Sequence, residues 1–125
     1  MSYATGMVLI AALALALTAA QSSSSQEVPV LNANLGNCSA EFIVRGTDAR
    51  PVYNATIHVR VRYGFMSLKR SDLEIGTNAD GKARIEGLPA RAKPLAYDIR
   101  KGTAAGAAMQ DVEAMCNASF EVALK

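Results

Sequence analysis

The chain has one histidine, and it stands among arginines. His58, Arg60 and Arg62 alternate with Val59, Val61 and Tyr63. In an extended strand successive side chains point to opposite faces, so the imidazole and the two guanidinium groups share a face. Such a row is the candidate site for binding an anion, either a carboxylate or an acidic glycan. Charges on the outer face of a strand are routine, so the ordinary reading of the same row is a solvated face that also discourages edge pairing. His58 has no second His and no Cys at ligand spacing, so no metal is expected there.

Other chemistries find less support. Asp72 and Glu74 share a strand face, as do Glu41 and Glu121, but a glycosidase needs two carboxylates facing across a cleft, and nothing in the pattern implies one. There is no Gly-x-Ser-x-Gly elbow and no Gly-rich phosphate loop. Asp80 reads as a turn former, since calcium would need several more oxygen ligands nearby. No cofactor is implied. The formal net charge of +2 is too small to argue for nucleic acid. Three Asn-x-Ser/Thr sequons, at Asn37, Asn54 and Asn117, would carry glycans only in a eukaryotic secreted protein.

The elements that must hold these residues are strands. Thr56 to Tyr63 is the longest alternating run, with β-branched residues on its apolar side. Ser39 to Arg45 alternates before it. Leu73 with Ile75, then Lys82 to Glu86, then Leu95, Tyr97 and Ile99 alternate after it, and Phe120, Val122 and Leu124 share a face near the end. Asn78-Ala79-Asp80-Gly81 reads as a tight hairpin turn. Residues 102–115 are rich in Ala, a helix former, but Gly102 and Gly106 weaken a helix and the neighbours favour a strand at about 107–112. Short strands with turns between them and no convincing helix predict an all-β, antiparallel sandwich of immunoglobulin-like, Greek-key type.

Two cysteines, Cys38 and Cys116, bracket this region. In an exported chain they read as a disulfide tying the first strand to the last, with a pair of buried free thiols as the alternative. The N-terminus supports export. Residues 1–20 carry no charge, and the apolar run Met7 to Leu17, about 11 residues, is too short for a bilayer span and fits a secretory signal ending at Thr18-Ala19-Ala20. The first residues lack the usual Lys or Arg, which leaves an uncleaved N-terminal anchor as the alternative. Residues 21–37 read as a flexible Ser-rich linker with an irregular lead-in, and residues 38–125 as one domain.

Two stretches resemble a known family. Phe42 to Ile57 is a strand, a Gly46-Thr47-Asp48 turn, Pro51 and a small-residue step at Asn54-Ala55, and it resembles the opening of carboxypeptidase regulatory-like domains. Thr77 to Pro89 resembles their second hallmark, a Thr-turn-Asp-Gly hairpin ending in Gly87-Leu88-Pro89. The resemblance implies a transthyretin-like, prealbumin-type sandwich of about seven strands. A related enzyme acts on 5-hydroxyisourate through a His-rich site and a C-terminal Tyr-Arg-Gly-Ser motif. This chain has one His and ends Val-Ala-Leu-Lys, so that activity is not carried over.

The resulting expectation is an exported, non-catalytic module, secreted, periplasmic or at the cell surface, binding a protein or carbohydrate partner at the cell envelope or serving a structural role. It would touch the membrane only through an uncleaved N-terminal segment. The alternative is a small transthyretin-type ligand carrier or enzyme, with its site at an oligomer interface around His58, Arg60 and Arg62.

Overall fold

In the computed structural model residues 27–125 are described. The expected signal, residues 1–20, and the Ser-rich start of the linker, residues 21–26, lie outside the described residues. Eight strands follow in order: β1 (Val30–Asn32), β2 (Cys38–Arg45), β3 (Thr56–Tyr63), β4 (Lys69–Gly76), β5 (Lys82–Leu88), β6 (Leu95–Lys101), β7 (Ala104–Gln110) and β8 (Asn117–Ala123). They form two four-stranded sheets, ordered β1-β5-β2-β8 and β4-β3-β6-β7.

The alternation in β3 sets the second sheet. Ile57, Val59 and Val61 are fully buried, while His58, Arg60 and Arg62 stand on the opposite side. Val59 pairs with Leu73 of β4 on one flank and with Tyr97 of β6 on the other, which places three apolar side chains in one row toward the core. The first sheet answers with Ala40, Phe42 and Val44 of β2 and Ala83 and Ile85 of β5. Phe42 joins the sheets: its ring meets Tyr97 edge-on at 4.8 Å and stacks near Phe120 at 5.5 Å. Each such buried aromatic removes a large apolar area from water.

Two buried polar side chains anchor the ends of the sandwich. Thr77 Oγ1 donates to Val52 O at 2.6 Å and accepts from Ala55 N at 2.9 Å, tying the β4–β5 turn to the β2–β3 connection. Gln110 Oε1 accepts from the Tyr97 hydroxyl at 2.6 Å, and its Nε2 donates to Met115 O at 2.9 Å and Ser39 O at 3.1 Å. That second hub lies beside Cys38–Cys116, which form a disulfide with Cα atoms 4.7 Å apart.

Three features differ from the expectation. The first sheet is mixed, because β1 runs parallel to β5 and β2 parallel to β8, while the second is antiparallel throughout. There are eight strands rather than about seven. The extra one, β1, falls in the supposed linker: Arg84 N donates to Pro29 O and Ala33 N to Glu86 O, and Leu31 and Leu35 pack on the core. Three residues added to an edge carry too short a pattern to show a period. The Ala-rich stretch is a strand, but it starts at Ala104 and stops at Gln110, where the Asp111 turn begins.

Candidate functional site

Three connections meet at the end of the sandwich that holds the disulfide: residues 64–68 between β3 and β4, 89–94 between β5 and β6, and 111–116 between β7 and β8. The middle one is fastened to the end of β3. Tyr63 bridges to Ala92, and Lys93 N donates to Arg62 O at 3.3 Å. The third is a turn held by Asp111, whose carboxylate accepts from Glu113 N at 3.1 Å and whose carbonyl accepts from Met115 N at 2.7 Å. Between them opens a cleft of about 540 Å³, lined by Tyr63, Arg91, Lys93, Asp111 and Glu113 together with Gly64 and Ser67. A smaller hollow of about 320 Å³ adjoins it, sharing Lys93 and Pro94 and adding Arg60, Arg62 and Ala96.

The row of His58, Arg60 and Arg62 lies on one outer face of β3, and the structure divides it. Arg60 Nε donates to Asp72 Oδ1 at 3.0 Å, and His58 Nε2 lies 3.6 Å from the same oxygen. The hydrogen bond from Arg60 holds the Asp72 carboxyl below its ordinary value of 3.8; partial desolvation opposes it, and the charges of Arg60, His58 and Arg70 add to the lowering. Two of the three side chains in the row, His58 and Arg60, are thus engaged by Asp72. Arg62 is not. Its register partner on β4 is Arg70, and none of the ion pairs among the described residues involves Arg62, Arg70, Arg91 or Lys93. Like charges directly opposite each other on a sheet repel, and a bound anion relieves that repulsion.

The available cationic charge therefore sits at the strand end and in the loop behind it, not along the strand. Arg91, Lys93, Asp111 and Glu113 were missed in the sequence because they stand in connections, where no period marks them. The one signal that pointed there was Gly87-Leu88-Pro89, which stops β5 and sends the chain into the 89–94 loop. Among the described residues no group of three or more His, Cys, Asp or Glu is placed to hold a metal ion.

No family model matches this chain, and no curated protein matches it. Solved structures do match. The chain is similar to catechol 1,2-dioxygenase from Acinetobacter sp. ADP1, with a TM-score of 0.53 and 9% identity over 79% of this chain. It spans 59% of that enzyme's length. It is also similar to the dioxygenase domain of a dioxygenase–carbohydrate-binding protein fusion from Streptomyces sp. SirexAA-E, with a TM-score of 0.50 and 11% identity, covering 84% of this chain and 94% of that domain. At such identities the likeness is one of fold.

It nevertheless overturns the expectation of a non-catalytic binding module, because the sandwich adopted here is one on which dioxygenase domains are built. Nor are these two matches transthyretin-type carriers. The expectation rested on strands that lack a catalytic motif, whereas a sandwich positions reactive side chains from the connections at its ends. Activating dioxygen calls for a redox centre, commonly a non-haem iron held by several imidazole and carboxylate groups. The described residues do not fit one. The sole histidine shares Asp72 with Arg60, whose positive charge opposes a cation there, and both thiols are closed in the disulfide.

Proposed function

We propose that this protein is a small-molecule-handling domain of an enzyme, exported to an oxidising compartment, and that its site is the cleft between Tyr63, Lys93 and Glu113. The reading is carried by one observation: cations without ion-pair partners and two carboxylates converge on a single 540 Å³ cleft. Arg91 and Lys93 suit a carboxylate or phosphate, and Arg62 extends that surface through the adjoining hollow. Asp111 and Glu113 suit an ammonium or a hydroxyl on the same molecule, and Glu113 is the candidate proton acceptor. The ligand class is a compact anion or zwitterion. The disulfide and the apolar N-terminus support export. The Thr77-to-Pro89 hairpin supports a distant kinship with carboxypeptidase regulatory-like, transthyretin-like sandwiches as part of the same proposal.

Calorimetric titration with benzoate, inorganic phosphate and a neutral amino acid tests it. At least one should bind with a dissociation constant in the millimolar range or tighter, and Arg91→Gln with Lys93→Gln should weaken it about tenfold, equivalent to about 1.4 kcal/mol. No heat from any of them at about 10 mM, or unchanged affinity in the double variant, would remove the reading. Oxygen uptake with catechol and added iron, above an iron-only control, would overturn the statement that the residues do not fit a dioxygen-activating centre.

A further inference from the structure

The connection from β3 to β4 exposes side chains that the cleft does not use. Phe65, Met66 and Leu68 are 71%, 76% and 79% exposed. Only Gly64 and Ser67 of this loop line the cleft. The backbone turns sharply here, with φ of 80° at Gly64, 55° at Met66 and 56° at Ser67, and no residue of the 3₁₀ turn Phe65–Ser67 is buried. Three large apolar groups are thus displayed at a tip and held away from the core. A soluble surface rarely places such groups together without a partner for them.

The surroundings of the tip say what that partner is. Arg62 and Lys69 flank the loop in sequence, Arg70 stands opposite Arg62, and Arg91 and Lys93 line the same cleft as Gly64. None of these five enters an ion pair among the described residues. The nearest carboxylate on β4, Asp72, is held by Arg60, which leaves Asp111 and Glu113 as the acidic groups at this end. A second copy docking tip to tip would bring cation against cation. An apolar tip rimmed by cations instead matches the boundary between acyl chains and anionic headgroups.

We propose that the 64–68 loop docks this domain on an anionic lipid bilayer, with Phe65, Met66 and Leu68 at the acyl boundary and Arg62, Lys69 and Arg70 against headgroup phosphates. The inference does not depend on the cleft's ligand, because Phe65, Met66 and Leu68 do not line the cleft and Arg62 lines only the adjoining hollow.

The chain has no tryptophan, so a single one placed at the tip reports its surroundings. Full-length Phe65→Trp is mixed with vesicles of phosphatidylcholine alone and of phosphatidylcholine with about one quarter phosphatidylglycerol. The expected result is a blue shift and quenching by brominated acyl chains with the anionic vesicles, weakened at high salt. Tyr53→Trp is the control. Tyr53 is exposed before the start of β3, about 26 Å from the tip along an eight-residue strand, and should not shift. Met66→Ser with Leu68→Ser in the Phe65→Trp protein should lower vesicle partitioning about tenfold while leaving the melting temperature unchanged, since both side chains are exposed. The proposal fails if Phe65→Trp does not shift, or if Tyr53→Trp shifts equally, which places the membrane contact elsewhere in the chain. It also fails if the shift occurs without lipid together with concentration-dependent dimerisation, which makes a second copy the occupant.

Discussion

Gln110 and Tyr97 show how a single polar contact can be both a stabilising bond and a titratable one. The phenol is buried and donates to Gln110 Oε1, and desolvation pushes its pKa well above the ordinary 10.0. A raised folded pKa means the folded state holds its proton after the unfolded chain has released it. The contribution is complete below the unfolded value and is lost as pH rises from about 10 toward the folded one. Urea melts of the wild type should therefore lose stability progressively above about pH 10. Tyr97→Phe should flatten that loss, and at neutral pH it should cost about 1–3 kcal/mol by leaving the amide oxygen of Gln110 unpaired. An equal alkaline loss in the variant would show that another group is responsible. None of this was legible in the sequence, where Gln110 looked like one polar residue in an Ala-rich run. The row of His58, Arg60 and Arg62 was legible, because a period of two needs no partner strand to be seen. Its neutralisation by Asp72 was not, since it depends on the β3–β4 register, which a loop with three positive-φ residues sets.

At the scale of elements, the hairpin at Asn78–Gly81 was readable because its chemistry is local. Asn78 Oδ1 accepts from Asp80 N at 2.9 Å and Lys82 N at 3.0 Å, folding the turn onto itself. Gly81 adds a long-range demand. Its φ is 73°, and a β-carbon would lie 2.4 Å from Val44 O, whose own amide donates to Gly81 O. Gly81→Ala should thus destabilise the domain by about 2 kcal/mol or more, read as a lower urea midpoint at constant slope. A neutral result would mean that the β2 end yields more easily than its hydrogen bonds imply. β1 was illegible for the opposite reason. Its three residues are extended only because the edge of β5 offers Arg84 N and Glu86 O to pair with, so the cause lies fifty residues away in the chain.

For the whole molecule, the pairing of Cys38 with Cys116 was predictable from their places at the two ends of the strand pattern, and it closes a loop of 78 residues. The Cys38→Ser, Cys116→Ser double variant should lose roughly 4 kcal/mol in the chain-entropy account, measured by chemical denaturation at pH 7. A loss below about 1 kcal/mol would show that residual structure in the unfolded chain already holds these ends together. The likeness to dioxygenase domains was not predictable, because at about one residue in ten it resides in the course of the backbone and not in shared side chains. The parallel β2–β8 pair has an effect beyond the finished structure. Of the described strands β2 is the first long one to be made and β8 the last, so one rim of β2 stays bare until the rest of this domain has been made. Burial of that rim awaits β8, which makes the partly made domain slow to mature and leaves it open to pairing with strangers in the meantime.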